Sequence, residues 1–196
     1  KGETWNNVTV ATTFNGGNFA RNQAWYDLSI AIDPNNSDVA FIGGVNLYKT
    51  ENGGSTWTQM SEWFQTPDIQ NVHADQHFAQ FVNGSSDRVM FSNDGGLYKT
   101  DDGVNWVNIS NGIINSEMYK LGLSQTSRYD IITGLQDNGS KSYYNGSWSD
   151  VLGGDGMECL IDYSNNDVQY AEFQFGGIRR TRDHWETKTY IKPEDA

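Results

Sequence analysis

Only one of the 196 residues is a cysteine, Cys159, so no disulfide can form within the chain. Its setting, Met157-Glu158-Cys159-Leu160-Ile161, has strand character, and a buried, inert thiol is expected there. Proline is scarce, at 3 residues. Basic side chains are few: 13 Lys and Arg stand against 25 Asp and Glu, for a formal net charge of −12. Phosphate binding needs clustered Lys and Arg, so nucleic acid is set aside as a partner. The acidic residues are spread along the chain without forming a block, and a solvated acidic surface accounts for most of them. No apolar run reaches the length of a membrane span, so membrane insertion is not expected. Capped stretches of helical periodicity are also missing, which leaves an all-β chain.

What the chain does contain is glycine, at 21 residues, and aromatics, at 13%. A disordered acidic chain would lack the aromatics. Together the two suggest short strands joined by tight turns. Self-similarity then gives the organisation. Residues 36–61, NSDVAFIGGVNLYKTENGGSTWTQMS, align with residues 85–110, SSDRVMFSNDGGLYKTDDGVNWVNIS. Both carry a Ser-Asp turn, an apolar strand, glycines, Leu-Tyr-Lys-Thr, a Gly-rich turn and a tryptophan. Weaker copies follow at 127–151 and 164–190. Trp5, Trp57, Trp106, Trp148 and Trp185 lie 52, 49, 42 and 37 residues apart. Several short strands repeating at about 40–50 residues are the signature of a β-propeller.

The expected architecture is therefore a single β-propeller segment over 1–196, built of about four four-stranded antiparallel blades. A blade end occupies 1–20, and the blades span approximately 24–63, 72–112, 118–152 and 156–192. In the first, strands are expected at Tyr26–Ile32, Val39–Gly43, Asn46–Thr50 and Thr56–Ser61, with Asp33-Pro34-Asn35-Asn36 as a turn. The opening Gly2-Glu3-Thr4-Trp5 resembles the tail of a preceding copy, so the segment is expected to belong to a larger propeller. The rest of that propeller, or a second copy of the chain, would cover its open blade faces.

The turn Thr50-Glu51-Asn52-Gly53-Gly54-Ser55-Thr56-Trp57 resembles the Asp-box of BNR-type repeats, Ser/Thr-x-Asp-x-Gly-x-Thr-Trp, with Asn52 in the Asp position. Thr100-Asp101-Asp102-Gly103-Val104-Asn105-Trp106 is similar to a variant one residue shorter. Trp148 and Trp185 are read as the ends of degenerate copies. Asp-box propellers include sialidases, xyloglucan-cleaving hydrolases, sortilin-type receptors, photosystem assembly factors and secreted bacterial proteins. The resemblance implies a structural role for Thr50, Asn52, Gly54, Trp57, Thr100, Asp102, Gly103 and Trp106 at the outer rim. It also implies a secreted or cell-surface protein. Fold alone does not choose among the activities.

Chemistry is sought elsewhere. Val72-His73-Ala74-Asp75-Gln76-His77 opens a blade. If it is strand, alternation puts His73, Asp75 and His77 on one face, where they could bind a divalent ion such as Zn²⁺. A spacing of about 6.5–7 Å between same-face neighbours is awkward for one ion, and a structural polar cluster is the competing expectation. Asp94, Asp137 and Asp155 sit in glycine-bearing turns, Asp94 and Asp137 just after the second strand of their blades and Asp155 before an inner strand, as Asp75 does. With Asp75 they could bind Ca²⁺, perturb one another's pKa for acid/base work, or simply shape turns. As a glycosidase pair they would need a separation of about 5–5.5 Å or 6.5–9.5 Å. No cofactor is certain, and a divalent metal, Ca²⁺ or Zn²⁺, is the candidate. The loop aromatics Trp25, Tyr26, Trp63 and Phe64 could stack on sugar rings or pack between blades. No sialidase-type Arg-Ile-Pro segment accompanies the arginines. Two functions remain: an extracellular, non-catalytic module binding a glycan or protein, and a glycoside hydrolase of the xyloglucan-active type.

Overall fold

A computed structural model describes residues 3–6 and 18–191. Most of the blade end expected over 1–20, namely 1–2 and 7–17, lies outside the described residues, as does residue 192 of the last blade. The first sheet comprises β1 (Ser29–Ile32), β2 (Ala40–Gly43), β3 (Leu47–Thr50) and β4 (Thr58–Gln59). The second comprises β5 (Gln76–Phe81), β6 (Val89–Asn93), β7 (Gly96–Thr100) and β8 (Val107–Asn108). A third holds β9 (Met118–Leu123), β10 (Ile131–Leu135), β11 (Gly139–Tyr144) and β12 (Ser147–Leu152). The last holds β13 (Gly156–Ile161), β14 (Gln169–Phe173), β15 (Gly177–Thr181) and β16 (Thr189–Ile191). Each sheet is an antiparallel meander in chain order, which is the blade of a β-propeller. Among the described residues there is no α-helix, and none that could cross a membrane.

The chain divides into two compact units of two blades, Lys1–Ile113 and Ile114–Ala196. The first is closed by aromatics. Phe41 of β2 is fully buried, with its ring 5.8–5.9 Å from those of Phe81, Phe91 and Trp106. Leu47, Val72 and Val89 complete this core. Gln70 finishes the second blade as a side-chain strand: its amide accepts from Trp106 N at 2.7 Å and donates to Trp106 O at 2.5 Å. The short turns at one end are tied together as well, Asn35 Nδ2 donating to Gly84 O and Ser86 Oγ to Asp33.

The second unit has a smaller apolar core of Ile132, Val151, Cys159 and Ala171. There the blades meet backbone to backbone. A Cβ on Gly134 would stand 2.1 Å from Met157 O, and one on Gly156 2.1 Å from Gly139 O. Close approach of β10 to β13 thus depends on hydrogen in place of a methyl group. Cys159 lies inside this core, and burial pushes its thiol up to about 11, which keeps it inert at neutral pH.

Turns between third and fourth strands repeat one hydrogen-bond plan. Asn52 Oδ1 accepts from Thr56 N at 2.8 Å, Thr50 Oγ1 accepts from Gly54 N at 2.9 Å, and Trp57 Nε1 donates to Gly54 O. In the second blade Asp102 accepts from Val104 N, Asn105 N and Thr100 Oγ1 at 2.7–2.9 Å. These donors hold the Asp102 carboxyl well below the usual carboxylate range. The fourth blade repeats the plan with Asp183 accepting from Thr187 N and Thr181 Oγ1 accepting from Trp185 N, both at 2.9 Å.

Three expectations change here. Trp185 does not hold the terminal tryptophan position of its copy. Its amide bonds Thr181 as that of Gly54 bonds Thr50, and its φ of 73° matches that of Gly103, so it stands in the glycine's place. Trp148 ends no such turn either: it lies on β12 opposite Tyr143, after a tight Asn145-Gly146 hairpin with both φ positive. The strands of the first blade are also shorter than expected. Backbone bonds from Tyr26 N and Asp27 N to Gln23 O fold 23–27 into a turn, delaying β1 to Ser29.

Gly134→Ala should cost about 2–3 kcal/mol or more of unfolding free energy, since the obstructing atoms are backbone. Gly153→Ala, with open space around its Cβ, should stay within about 0.5 kcal/mol in the same denaturant titration. Asp102→Asn should fold, because Asn52 already fills that place in the first blade. A depressed carboxyl adds stability above the unfolded pKa of about 3.9 and loses it as pH falls through the folded value. The Tm gap between wild type and Asp102→Asn should therefore narrow between pH 7 and pH 3.

Candidate functional site

The acidic turns follow from how a blade begins. β5 starts at Gln76, and the residue before it is set by backbone bonds to the first blade: Asp75 N donates to Val45 O at 3.3 Å and Gln76 N to Gly44 O at 2.9 Å. The fully buried Gln76 side chain donates to His73 O at 2.6 Å and accepts from Asn93 Nδ2. Asp75 is thereby held at a φ of 66°, a left-handed value uncommon outside glycine and asparagine.

That turn overturns the same-face expectation for His73, Asp75 and His77. Alternation operates only inside a strand, and His73 and Asp75 precede β5. His73 packs its ring on Gly95 and points Nδ1 at Ala74 O. Among the described residues, these three do not bring ligand atoms close enough together for one ion. Only Asp75 and His77 join the acidic cluster.

Its members come from both blades of the first unit. Gln23 Nε2 donates to Asp75 Oδ1 at 2.5 Å and to Asp27 Oδ2 at 3.2 Å. Asp94, in the turn between β6 and β7, accepts from Tyr26 Oη at 3.0 Å and pairs with His77 Nε2 at 2.8 Å. The Tyr26 ring stands edge-on to His77 with centroids 4.8 Å apart. Carboxylate oxygens of Asp75 and Asp94 come within 4.8 Å of each other. Asp27 is fully buried, and its Oδ1 meets no hydrogen-bond donor. Burial raises its pKa, opposed by hydrogen bonds from Gln23, its own backbone and the neighbouring Asp75.

Asp27 was missing from the sequence-based candidates because the strand was expected to begin at Tyr26. The signal lay in the blade alignment: an acidic residue stands just before the first strand of every blade, at Asp27, Asp75, Glu117 and Asp155.

The second unit pairs Asp137 and Asp155. Asp137, with φ of 55°, donates its N–H to Asp155 Oδ1 at 3.0 Å, and Asp155 N donates to Gln174 Oε1 at 2.9 Å. Burial raises the Asp155 pKa, and the adjacent Asp137 carboxyl adds to the rise.

Of the aromatics, Trp25 is 85% exposed, and Tyr26, Trp63 and Phe64 also face solvent. Trp25 and Tyr26 lie 5.6 Å apart, Trp63 and Phe64 5.3 Å, and the Arg21 guanidinium stands 5.9 Å from the Trp63 ring. The structure thus brings Tyr26, Asp94 and His77 into direct contact, with Asp75 alongside and the Trp25 ring tilted against Tyr26.

No known family profile and no curated protein matches the sequence. Solved structures do resemble it. The GH74 enzyme of Niastella koreensis is 17% identical over 83% of this chain and 29% of its own, at a TM-score of 0.34. The GH74 xyloglucanase of Xanthomonas campestris is 13% identical over 83% and 29%, at 0.34. YCF48 bound to D1 peptide is 12% identical over 96% and 72%, at 0.37. The chain spans under a third of the length of the two GH74 enzymes.

A carboxyl whose folded pKa is raised opposes folding once pH exceeds its unfolded value, and not below it. Asp155→Asn keeps an acceptor for Asp137 N while removing that charge. Its Tm should exceed wild type at pH 7 and equal it near pH 3.5, by calorimetry.

Proposed function

We propose that this chain is part of an extracellular, Asp-box-type propeller, secreted or displayed at a cell surface, that binds a glycan without cleaving it. One arrangement carries the reading: the exposed Trp25–Tyr26 pair, whose phenol is fixed by Asp94 and whose ring edge meets His77. Carbohydrate recognition combines a flat apolar face with nearby hydrogen-bonding groups, and this loop offers both. Trp63 and Phe64, beside Arg21, are a second exposed aromatic pair that could stack on a sugar ring. A protein partner remains the companion reading for the same surface.

The hydrolase reading is less well supported by the carboxyl chemistry. A retaining pair works at about 5–5.5 Å and needs a protonated acid that touches the sugar. Asp75 and Asp94 bring one oxygen of each within 4.8 Å, and each already accepts a hydrogen bond. In the same unit, the carboxyl with a raised pKa, Asp27, is fully buried, away from any sugar.

Titration calorimetry with xyloglucan and other soluble β-glucan oligosaccharides tests the proposal. Trp25→Ala should weaken binding roughly tenfold, equivalent to about 1.4 kcal/mol of stacking and buried area. Unchanged affinity in that variant, or no glycan binding at all, removes the reading. Release of reducing ends by wild type, lost in Asp75→Asn, would replace it with hydrolysis.

A further inference from the structure

In the second unit a row of paired residues crosses the fourth blade: Cys159 of β13, Ala171 of β14, Arg179 of β15 and Tyr190 of β16. Cys159 and Ala171 belong to the apolar core shared with Ile132 and Val151 of the third blade. Arg179 puts a half-buried cation in that row. Its guanidinium lies 4.1 Å from the Tyr190 ring centre and 5.2 Å from that of Phe173. Rings hold an arginine in place but offer it no acceptor. Among the described residues no carboxylate pairs with Arg179, and its buried Nη1 has no hydrogen-bond partner. A charge partly removed from water without a counter-charge is stabilised by an anion brought to it.

Arg179 lines a cleft of about 480 Å³, inside the range of small-molecule sites, about 300–1,000 Å³. Lys188 adds a second cation; its Nζ donates to Val151 O, a neutral carbonyl that leaves the charge uncompensated. No acidic side chain lines the cleft, in a chain where acids outnumber bases 25 to 13. Gln174 Oε1 accepts from Asp155 N, so its Nε2 is left as a donor without an acceptor among the described residues. Phe175, also in the lining, is fully exposed and held at a φ of 66°, which is costly for a bulky residue.

We propose that this cleft binds a uronate, a sugar ring bearing a carboxylate. The carboxylate meets the fork of Arg179 with Lys188 adding charge, the Gln174 amide donates to a ring hydroxyl, and Phe175 offers a flat face to the ring. The cations select the acid, while the open amide and the aromatic face select a sugar over a bare anion. The site shares no residue with the Trp25–Tyr26 surface, so it stands or falls independently of neutral-glycan binding there.

The test is an NMR titration of the whole 196-residue chain with galacturonate, glucuronate, the matching neutral sugars galactose and glucose, and acetate. A ligand of about a dozen heavy atoms at ordinary efficiency should bind with a Kd on the order of 1 mM. At least one uronate should bind and shift the signals of the Arg179 side chain and the Gly153 and Gly154 amides. Its neutral counterpart and acetate should each bind at least about tenfold more weakly. Arg179→Lys keeps the charge but loses the fork, and should weaken uronate binding at least about tenfold. Arg128→Gln, at an exposed arginine beside Tyr129, should leave it unchanged. Circular dichroism identifies a variant that has lost its fold, and the wild-type shifts locate the ligand without any variant. Absence of uronate binding up to about 50 mM, far above the expected Kd, overturns the site. So do equal binding of the neutral sugar or of acetate, shifts confined to other residues, or binding that survives Arg179→Lys in a folded protein.

Discussion

The acidic end of each unit depends on one contact: the segment that opens a blade rests, by backbone hydrogen bonds, on the turn joining the second and third strands of the blade before it. In the first unit Asp75 N and Gln76 N reach Val45 O and Gly44 O. In the second, Gly139 N reaches Gly154 O, and Asp137 N reaches the side chain of Asp155. Main-chain bonds of this kind do not depend on which side chains the residues carry. They can therefore force carboxyls together that would separate in a looser chain: at Asp155 burial raises the pKa and the adjacent Asp137 carboxyl adds to the rise.

The two units solve blade packing by opposite means. Between β2, β5 and β6, aromatic rings fill the space, and Phe41 touches three others. Between β10 and β13 the backbones approach until only glycine fits. A ring wedge can adjust to a lost methyl by repacking, at a cost set by the cavity left behind. A glycine contact has no such latitude, so the second unit, with its smaller apolar core, is the more sensitive to single substitutions.

The blades were legible in the sequence because Leu-Tyr-Lys-Thr and its following turn recur with side chains whose hydrogen bonds are local. Thr50 with Asn52, and Thr100 with Asp102, act within five residues, so spacing alone conveys their geometry. Less was legible at the acidic site. The alternation argument placed His73, Asp75 and His77 together, yet a positive φ at Asp75, set by residues 44 and 45 of another blade, breaks that strand before it begins. Asp27 was passed over for a similar reason, since its burial comes from tertiary packing of a turn made by Gln23. Long-range backbone contacts leave no local pattern to read.

Trp185 adds a consequence for how such chains diverge. A bulky residue in a left-handed conformation costs about 1–3 kcal/mol, and here the bonds from Thr181 and Asp183 sustain it, aided by Trp185 Nε1 on Gln169. The shape of the turn is thus stored in its hydroxyl and carboxylate, and glycine only makes it cheaper. A repeat can lose its spelling while keeping its form, so the number of blades counted from letters in such a chain is a lower bound.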